Sequence, residues 1–229
     1  MTRAPTLGVL IVAAGSGLRF GDAGKALAPL AGRPLLAWSL SLFASLSITH
    51  EIVVVAGEHT LAGCESMLAG MRLSRASIVC GGDSRVASVR SGLAALSRDV
   101  THVAVHDAAR PLVTAALVQR VVNAAFASGA AVPVVPVSDT LHEIDADGLI
   151  SATPDRAKLR AAQTPQVARR DWLERACQST TGTTDDGGLL QAAGYPVQLV
   201  DGDPSNLKVT WPSDIVLAEA LLAARERTI

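Results

Sequence analysis

Lysine is scarce in this chain. Of 20 basic residues only three are lysines, Lys25, Lys158 and Lys208. A chain that otherwise draws its positive charge from arginine keeps lysine where a compact ammonium is needed, so each of the three is a candidate for such a position. Cysteine is scarce too. Cys64, Cys80 and Cys177 are scattered, odd in number and without metal-ligand spacing. That excludes a disulfide framework and points to reduced, structural thiols in a cytoplasmic protein. An excess of charge of one sign is missing as well. The formal net charge is −1, with 18% charged and 49% hydrophobic residues, so nothing in the composition pulls the chain toward nucleic acid or a membrane. No apolar run approaches the roughly 20 residues of a membrane span, and no signal peptide opens the chain. The 229 residues suffice for one large domain, read here as 1–229 with an appendage at about 138–160.

The opening loop lacks two common phosphate motifs. In "VLIVAAGSGLRFGDAGKAL" (Val9 to Leu27), Gly15 and Gly17 are followed by Phe20 where the dinucleotide fingerprint needs a third glycine. The second apolar run ends "VVVAG", with Ala56 and Gly57 where an acidic residue would bind ribose. A dinucleotide-dependent dehydrogenase is thereby excluded. Gly24-Lys25 suggests a Walker loop, but Arg19 stands where its first glycine should be and Ala26 replaces its Ser/Thr. The loop still has the parts for a polyphosphate. Its glycines let backbone N–H groups approach anionic oxygens, Arg19 supplies a planar fork and Lys25 a point charge. The plainer alternative is a glycine turn with two solvated cations.

Short Val- and Ile-rich runs alternate with helical spacing. Leu7–Ala14, Glu51–Ala56, Ser77–Cys80, His102–His106 and Ala130–Val137 read as buried strands. Pro34–Leu46, Thr60–Arg72, Arg85–Ser97, Ala115–Ser128 and Pro212–Arg225 read as helices. The alternation predicts an α/β layered fold with a mostly parallel sheet, whose ligands bind beyond the carboxyl ends of the strands. Ser138–Arg160 differs: a strand-like start, a polar "DADG" turn and a second short strand predict a hairpin arm. A plain surface hairpin is the alternative.

"AAGSGLRF…GKAL" is similar to the signature loop of sugar nucleotidyltransferases. Seven later segments narrow the likeness: "GGDSRVASV" (Gly81–Val89), "VHDAARP" (Val105–Pro111), "SDT" (Ser138–Thr140), "DR" (Asp155–Arg156), "TPQ" (Thr164–Gln166), "TDD" (Thr184–Asp186) and "NLKVT" (Asn206–Thr210). The series, in order over nearly the whole chain, resembles the 2-C-methyl-D-erythritol 4-phosphate cytidylyltransferase family of the non-mevalonate isoprenoid pathway. The chain departs from the family at Gly24-Lys25-Ala26, where Pro-Lys-Gln is usual.

The resemblance implies a Rossmann-like, three-layer α/β/α nucleotidyltransferase fold. It implies that a phosphate oxygen of 2-C-methyl-D-erythritol 4-phosphate attacks the α-phosphorus of CTP. Pyrophosphate leaves in line, and 4-diphosphocytidyl-2-C-methyl-D-erythritol is formed. Such a site is cationic, uses Mg²⁺ and needs no strong internal nucleophile. Ala13, Ala14, Gly15, Ser16 and Gly17 would line the nucleotide, with Arg19 and Lys25 stabilising charge on the α-phosphate and the leaving group. Gly81, Gly82, Asp83 and Ser88 would meet cytosine and ribose; Asp83 or Ser84 also suits a helix cap. Asp107 would contact ribose or the metal-bound phosphates, and Arg110 the second substrate's phosphate or polyol. His106 is read as a packed residue, because a phosphate nucleophile already ionised near neutrality needs no base. Asp139, Thr140, Arg156 and Thr164 would bind the polyol phosphate, and Lys208 would hold it for attack. The arm would cross to a second subunit of a homodimer, so that Thr140 and Arg156 complete the partner's site. Asp185–Asp186 is read as a helix start. Two other readings stay open. One is a cytidylyltransferase for another polyol phosphate such as ribitol 5-phosphate. The other is an inactive nucleotide-binding module, against which the set Arg19, Lys25, Arg156 and Lys208 speaks.

Overall fold

Strands whose side chains point alternately to two apolar faces place the active end of this molecule. The structure is a computed structural model, and it describes residues 4–15, 20, 24–179 and 183–227. In chain order the strands are β1 (Leu7–Ala13), β2 (Pro29–Leu30), β3 (Arg33–Pro34), β4 (Thr49–Ala56), β5 (Ala76–Cys80), β6 (His102–Asp107) and β7 (Ala130–Pro136). They continue with β8 (Glu143–Ile144), β9 (Ile150–Ala152), β10 (Arg160–Ala162), β11 (Gln166–Arg169) and β12 (Gln198–Asp201). The α-helices are α1 (Leu35–Ser45), α2 (Leu61–Met71), α3 (Arg85–Ala95), α4 (Ala115–Ser128), α5 (Arg170–Ser179), α6 (Asp186–Ala192) and α7 (Ser213–Glu226).

The described residues include an eight-stranded sheet. β5, β4, β1 and β6 lie side by side and parallel. β11 runs antiparallel between β6 and β7, and β12 and β10 pair with β7 in parallel and antiparallel fashion. Along β1, Leu7, Val9, Ile11 and Ala13 face one core, shared with Leu36, Leu40 and Phe43 of α1 and Leu117, Val118 and Val121 of α4. Leu10 faces the other core, with Val89 and Leu93 of α3, Leu173 of α5 and Leu189 of α6. The period of two puts successive residues on opposite faces, and helices cover both, giving three α/β/α layers. A smaller cluster of Leu30, Leu35, Leu112, Val209 and Ala218 seats α7 against the β2 region.

The helix starts follow from side chains that accept the first orphan N–H groups. Ser84 accepts from Ala87 N, Thr114 from Leu117 N and Asp185 from Gly188 N. Among the two capping candidates before α3, the cap is therefore Ser84. α4 ends at Gly129, whose φ of +95° favours glycine and whose Cβ position lies 2.4 Å from the Trp172 ring.

The strands and helices read from the sequence appear within a residue or two of their expected ends. Helix α6 begins at the expected Asp185–Asp186 start, whereas α5 and the short strands β2, β3, β10, β11 and β12 are additions. β8 and β9 form the expected arm, closed by the turn at Gly148 with φ of +81°. Asp145 Oδ1 accepts from Asp147 N and Leu149 N and holds that turn. Among the described residues no helix is long and apolar enough to cross a membrane.

Candidate active site

The carboxyl ends of β1, β4, β5 and β6 all open at one edge of the sheet. The segments that follow them surround a cleft of about 560 Å³. Ala13, Ala14 and Gly15 come from β1 and its exit, Gly57, Glu58 and His59 from that of β4. Cys80 ends β5 and the lining continues to Arg85, while Asp107 ends β6 and Ala108 and Ala109 follow it. Val12, Lys25, Ala26, Ser88 and Lys208 complete the lining. Ten of the expected residues meet here: Ala13, Ala14, Gly15, Lys25, Gly81, Gly82, Asp83, Ser88, Asp107 and Lys208. Ser16, Gly17 and Arg19 lie outside the described residues.

One wall is a glycine shelf. A Cβ on Gly81 would stand 2.7 Å from both Ala14 Cβ and Ser88 Oγ, and one on Gly82 would stand 2.6 Å from Ala87 Cβ. Only bare backbone fits. Buried Ser88 fastens the shelf from below, since its Oγ accepts from Gly82 N at 3.2 Å and donates to Gly82 O at 3.3 Å. Gly81 N donates to Ala56 O, which leaves the shelf pinned to β4 as well.

The opposite wall is cationic. Lys25 opens a short 3-10 turn, Lys25–Leu27, and its Nζ donates to Val209 O at 3.2 Å. Ala26 beside it is buried in the core. The unusual Gly24-Lys25-Ala26 thus keeps Lys25 at the cleft. Lys208 Nζ donates to Asp107 Oδ2 at 2.6 Å, and Arg85 Nη2 lies 3.5 Å from Asp107 Oδ1. Burial alone would push the Asp107 carboxyl up; Lys208 and Arg85 outweigh it and hold it at about 2. Arg85 Nη1 in turn meets Asp186 Oδ2 at 2.7 Å.

Beneath Asp107 the polar groups are locked. Its backbone N–H donates to Thr164 Oγ1 at 3.0 Å, and Thr164 Oγ1 lies 3.1 Å from His106 Nδ1. His106 Nε2 lies 3.1 Å from Arg110 O. A carbonyl only accepts, so Nε2 carries the proton and Nδ1 accepts from the threonine hydroxyl. Arg110 is buried, donating from Nη1 to Asn206 O at 2.8 Å and from Nη2 to Ala162 O at 3.2 Å. Arg110 and Thr164, expected at the second substrate, are thus found under the Asp107 wall. Asp139, Thr140 and Arg156 lie on the exposed arm, where Arg156 Nη1 donates to Ser138 O at 2.6 Å. None of these three lines the cleft.

His106 is packed, as read from the sequence, and burial pushes its imidazole down to about 4. The unfolded imidazole titrates near about 6.5, so between these values the unfolded chain binds the extra proton. Stability from this site is complete above about pH 6.5 and is lost as pH falls toward about 4, by on the order of 3 kcal/mol. Urea unfolding at about pH 7 and about pH 4.5 should show a smaller acid loss in His106→Gln than in the wild type.

The family model described as "IspD: 2-C-methyl-D-erythritol 4-phosphate cytidylyltransferase" matches residues 7–224. The chain belongs to this cytidylyltransferase family. A curated 2-C-methyl-D-erythritol 4-phosphate cytidylyltransferase of Prochlorococcus marinus (strain MIT 9313) is 42% identical over 223 residues, 95% of this chain and 98% of its own length. The crystal structure of the cytidylyltransferase from Thermus thermophilus superposes with a TM-score of 0.76 at 37% identity, covering 94% of this chain and 98% of the other. That of 4-diphosphocytidyl-2C-methyl-D-erythritol synthase from Anaerococcus prevotii gives 0.82 at 28% identity, covering 96% and 100%. Against the cytidylyltransferase motifs, the sequence reading missed Glu58, His59, Cys80 and Arg85 at the cleft. The signal was present for the first three, which lie at or just beyond the end of a parallel strand, while Arg85 opens α3.

Proposed function

We propose that this chain transfers the cytidylyl group of CTP to 2-C-methyl-D-erythritol 4-phosphate in isoprenoid precursor biosynthesis, releasing pyrophosphate, and that the cleft at the carboxyl ends of β1, β4, β5 and β6 is where this happens. The observation that carries the reading is the pairing of a bare glycine shelf with a lysine wall in one cleft of this family's fold. The shelf lets backbone groups of Gly81 and Gly82 read the cytosine edge, with Asp83 and Ser88 at the ribose. A fixed carbonyl accepts from the cytosine amino group and is repelled by the carbonyl of uracil. Lys25, with Arg19 beyond Ser16 and Gly17, neutralises the charge that grows on the α-phosphate and pyrophosphate. Lys208 holds the attacking phosphate in line. The phosphate arrives ionised, so no side chain has to remove a proton from it.

Among the described residues no group of three His, Cys, Asp or Glu side chains could hold a metal ion. Magnesium keeps several waters and binds largely through substrate phosphates. Asp107 is the carboxylate nearest that role at the cleft, but Lys208 and Arg85 already engage its two oxygens, so the CTP phosphates would be the main ligands. Mg²⁺ bound there with the CTP phosphates would supply further neutralisation of charge. The arm supports a homodimer. Its Leu141, Ile144, Leu149 and Ile150 are exposed, Ile144 by 69%, which is the character of a surface awaiting a second copy. Arm residues Asp139, Thr140 and Arg156 would then complete the partner's site. The arm is taken as part of one domain, and the scattered, odd cysteines suit a cytoplasmic enzyme.

Pyrophosphate release should be measured with the four nucleoside triphosphates against methylerythritol phosphate and ribitol 5-phosphate, with Mg²⁺ and with a chelator. CTP with methylerythritol phosphate and Mg²⁺ is the combination expected to turn over fastest. Equal rates with UTP would remove the base-reading role of the shelf, and a preference for ribitol 5-phosphate would reassign the polyol.

A further inference from the structure

Asp186 is a carboxylate with no part in the reaction as described. It opens α6, is 2% exposed and faces no solvent of the cleft. Its support is rigid. Asp185 beside it caps α6 and accepts from Gln166 Nε2 at 2.9 Å, while Gln166 Oε1 accepts from Gly187 N at 2.7 Å. A Cβ on Gly187 would stand 2.9 Å from Val132, so α6 lies tight on β7. From this base Asp186 takes one nitrogen of Arg85, and the guanidinium reaches Asp107 with another. Asp107 then spends one oxygen on Arg85 and the other on Lys208. Acidic and basic side chains thus alternate from the core to the cleft, and at the inner end burial pushes the Asp186 carboxyl up while Arg85 opposes that push. A buried ion pair adds little to stability compared with apolar packing, so its presence calls for another use.

We infer that Arg85 and Asp186 are positioning residues for cytidylyl transfer: they fix the Asp107 carboxylate, and through it the ammonium of Lys208. Lys208 carries its charge on a flexible four-carbon stem and is 43% exposed, so its place depends on the partner that holds it. With both oxygens engaged, Asp107 cannot turn about its side-chain axis. Without Arg85 it can follow Lys208 into several poses, and misplacement by about 1 Å can cost 10²-fold in rate. The inference rests on Lys208 acting at the attacking phosphate.

The test uses Asp186→Asn, Arg85→Gln, Arg85→Lys and the double variant Arg85→Gln/Asp186→Asn, with Lys208→Ala as reference. Steady-state kinetics, CTP affinity by calorimetry and Tm are read for each. Asp186→Asn should lower kcat by about 10- to 100-fold with the KM and Kd for CTP nearly unchanged. Arg85→Lys keeps the charge but not the fork, and its kcat should fall between those of wild type and Arg85→Gln. Arg85→Gln leaves the buried Asp186 carboxylate without its cation, so Tm should drop there, and less in Asp186→Asn, where Arg85 keeps Asp107; the double variant should regain the Tm lost in Arg85→Gln and stay slow. Recovery of kcat together with Tm in the double variant would reduce the pair to a structural role. A raised Kd for CTP in Arg85→Gln beside a fully active Asp186→Asn would make Arg85 a direct nucleotide contact instead. Wild-type kcat in Asp186→Asn with a slow Lys208→Ala overturns the inference alone, whereas wild-type turnover in Lys208→Ala removes the reading beneath it and the inference with it.

Discussion

Lys25→Ala should lower kcat by about 10²–10³-fold and leave the fold intact, because it deletes one preorganised charge from the wall that meets the leaving pyrophosphate. The turn does not depend on the side chain. Leu27 N donates to Gly24 O and Ala28 N to Lys25 O, and Ala26 anchors the turn in the core. The loss at the Val209 carbonyl falls at a partly exposed contact, where water can substitute. The effect therefore belongs on turnover. Val209 also follows Lys208 in the chain, so the bond from Lys25 ties the two lysines to one segment. Arg at position 25 keeps charge but brings a longer, planar group, and should recover only part of the rate. Pyrophosphate release and far-UV circular dichroism check both halves of the expectation. Near-normal turnover in the alanine variant would mean that Gly24-Lys25-Ala26 carries its ammonium away from the reacting phosphates.

The parallel part of the sheet was legible because each strand is a continuous Val/Ile run with a helix after it, a pattern that local sequence carries by itself. The cleft was legible for the same reason: the residues just past those runs are where a parallel sheet puts its ligands. β11 was not. "QVAR" holds two apolar residues in four, too short for a period, and it becomes a strand because β6 and β7 flank it. The Asp185–Asp186 doublet showed its local role, since Asp185 caps α6 as a helix start predicts. The second role, that of Asp186 on Arg85, joins residues 101 positions apart and has no local signal. Arg110 and Thr164 illustrate the same limit. Their motifs placed them next to the site, but only the packing of Asn206, Ala162 and His106 turns them beneath it. Glu58 and His59 were within reach of the strand-end rule, at the exit of β4.

Mixing two inactive variants should restore activity to roughly a quarter of wild type, if the arm serves the neighbouring subunit. Arg156 stands on the exposed arm, outside the lining of its own chain's cleft, while Lys25 lines that cleft. Lys25→Ala and Arg156→Ala would then damage opposite contributions to one composite site, and each variant homodimer should be nearly inactive. In a mixed dimer one site combines the Lys25 lesion of its own chain with the Arg156 lesion of the partner, and is doubly damaged. The other takes an intact Lys25 from its own chain and an intact Arg156 from the partner, and is whole. With statistical exchange about half the dimers are mixed, and one site in two works in each. Co-expression with two different affinity tags allows the mixed species to be purified, and there activity should rise to about half of wild type per dimer. Complementation needs no new contact, only the crossing of the arm, so it separates a shared site from a merely exposed hairpin. Purified mixed dimers no more active than their two parents would assign Arg156 to its own subunit and leave the arm, with its exposed Ile144 and Ile150, a structural element alone.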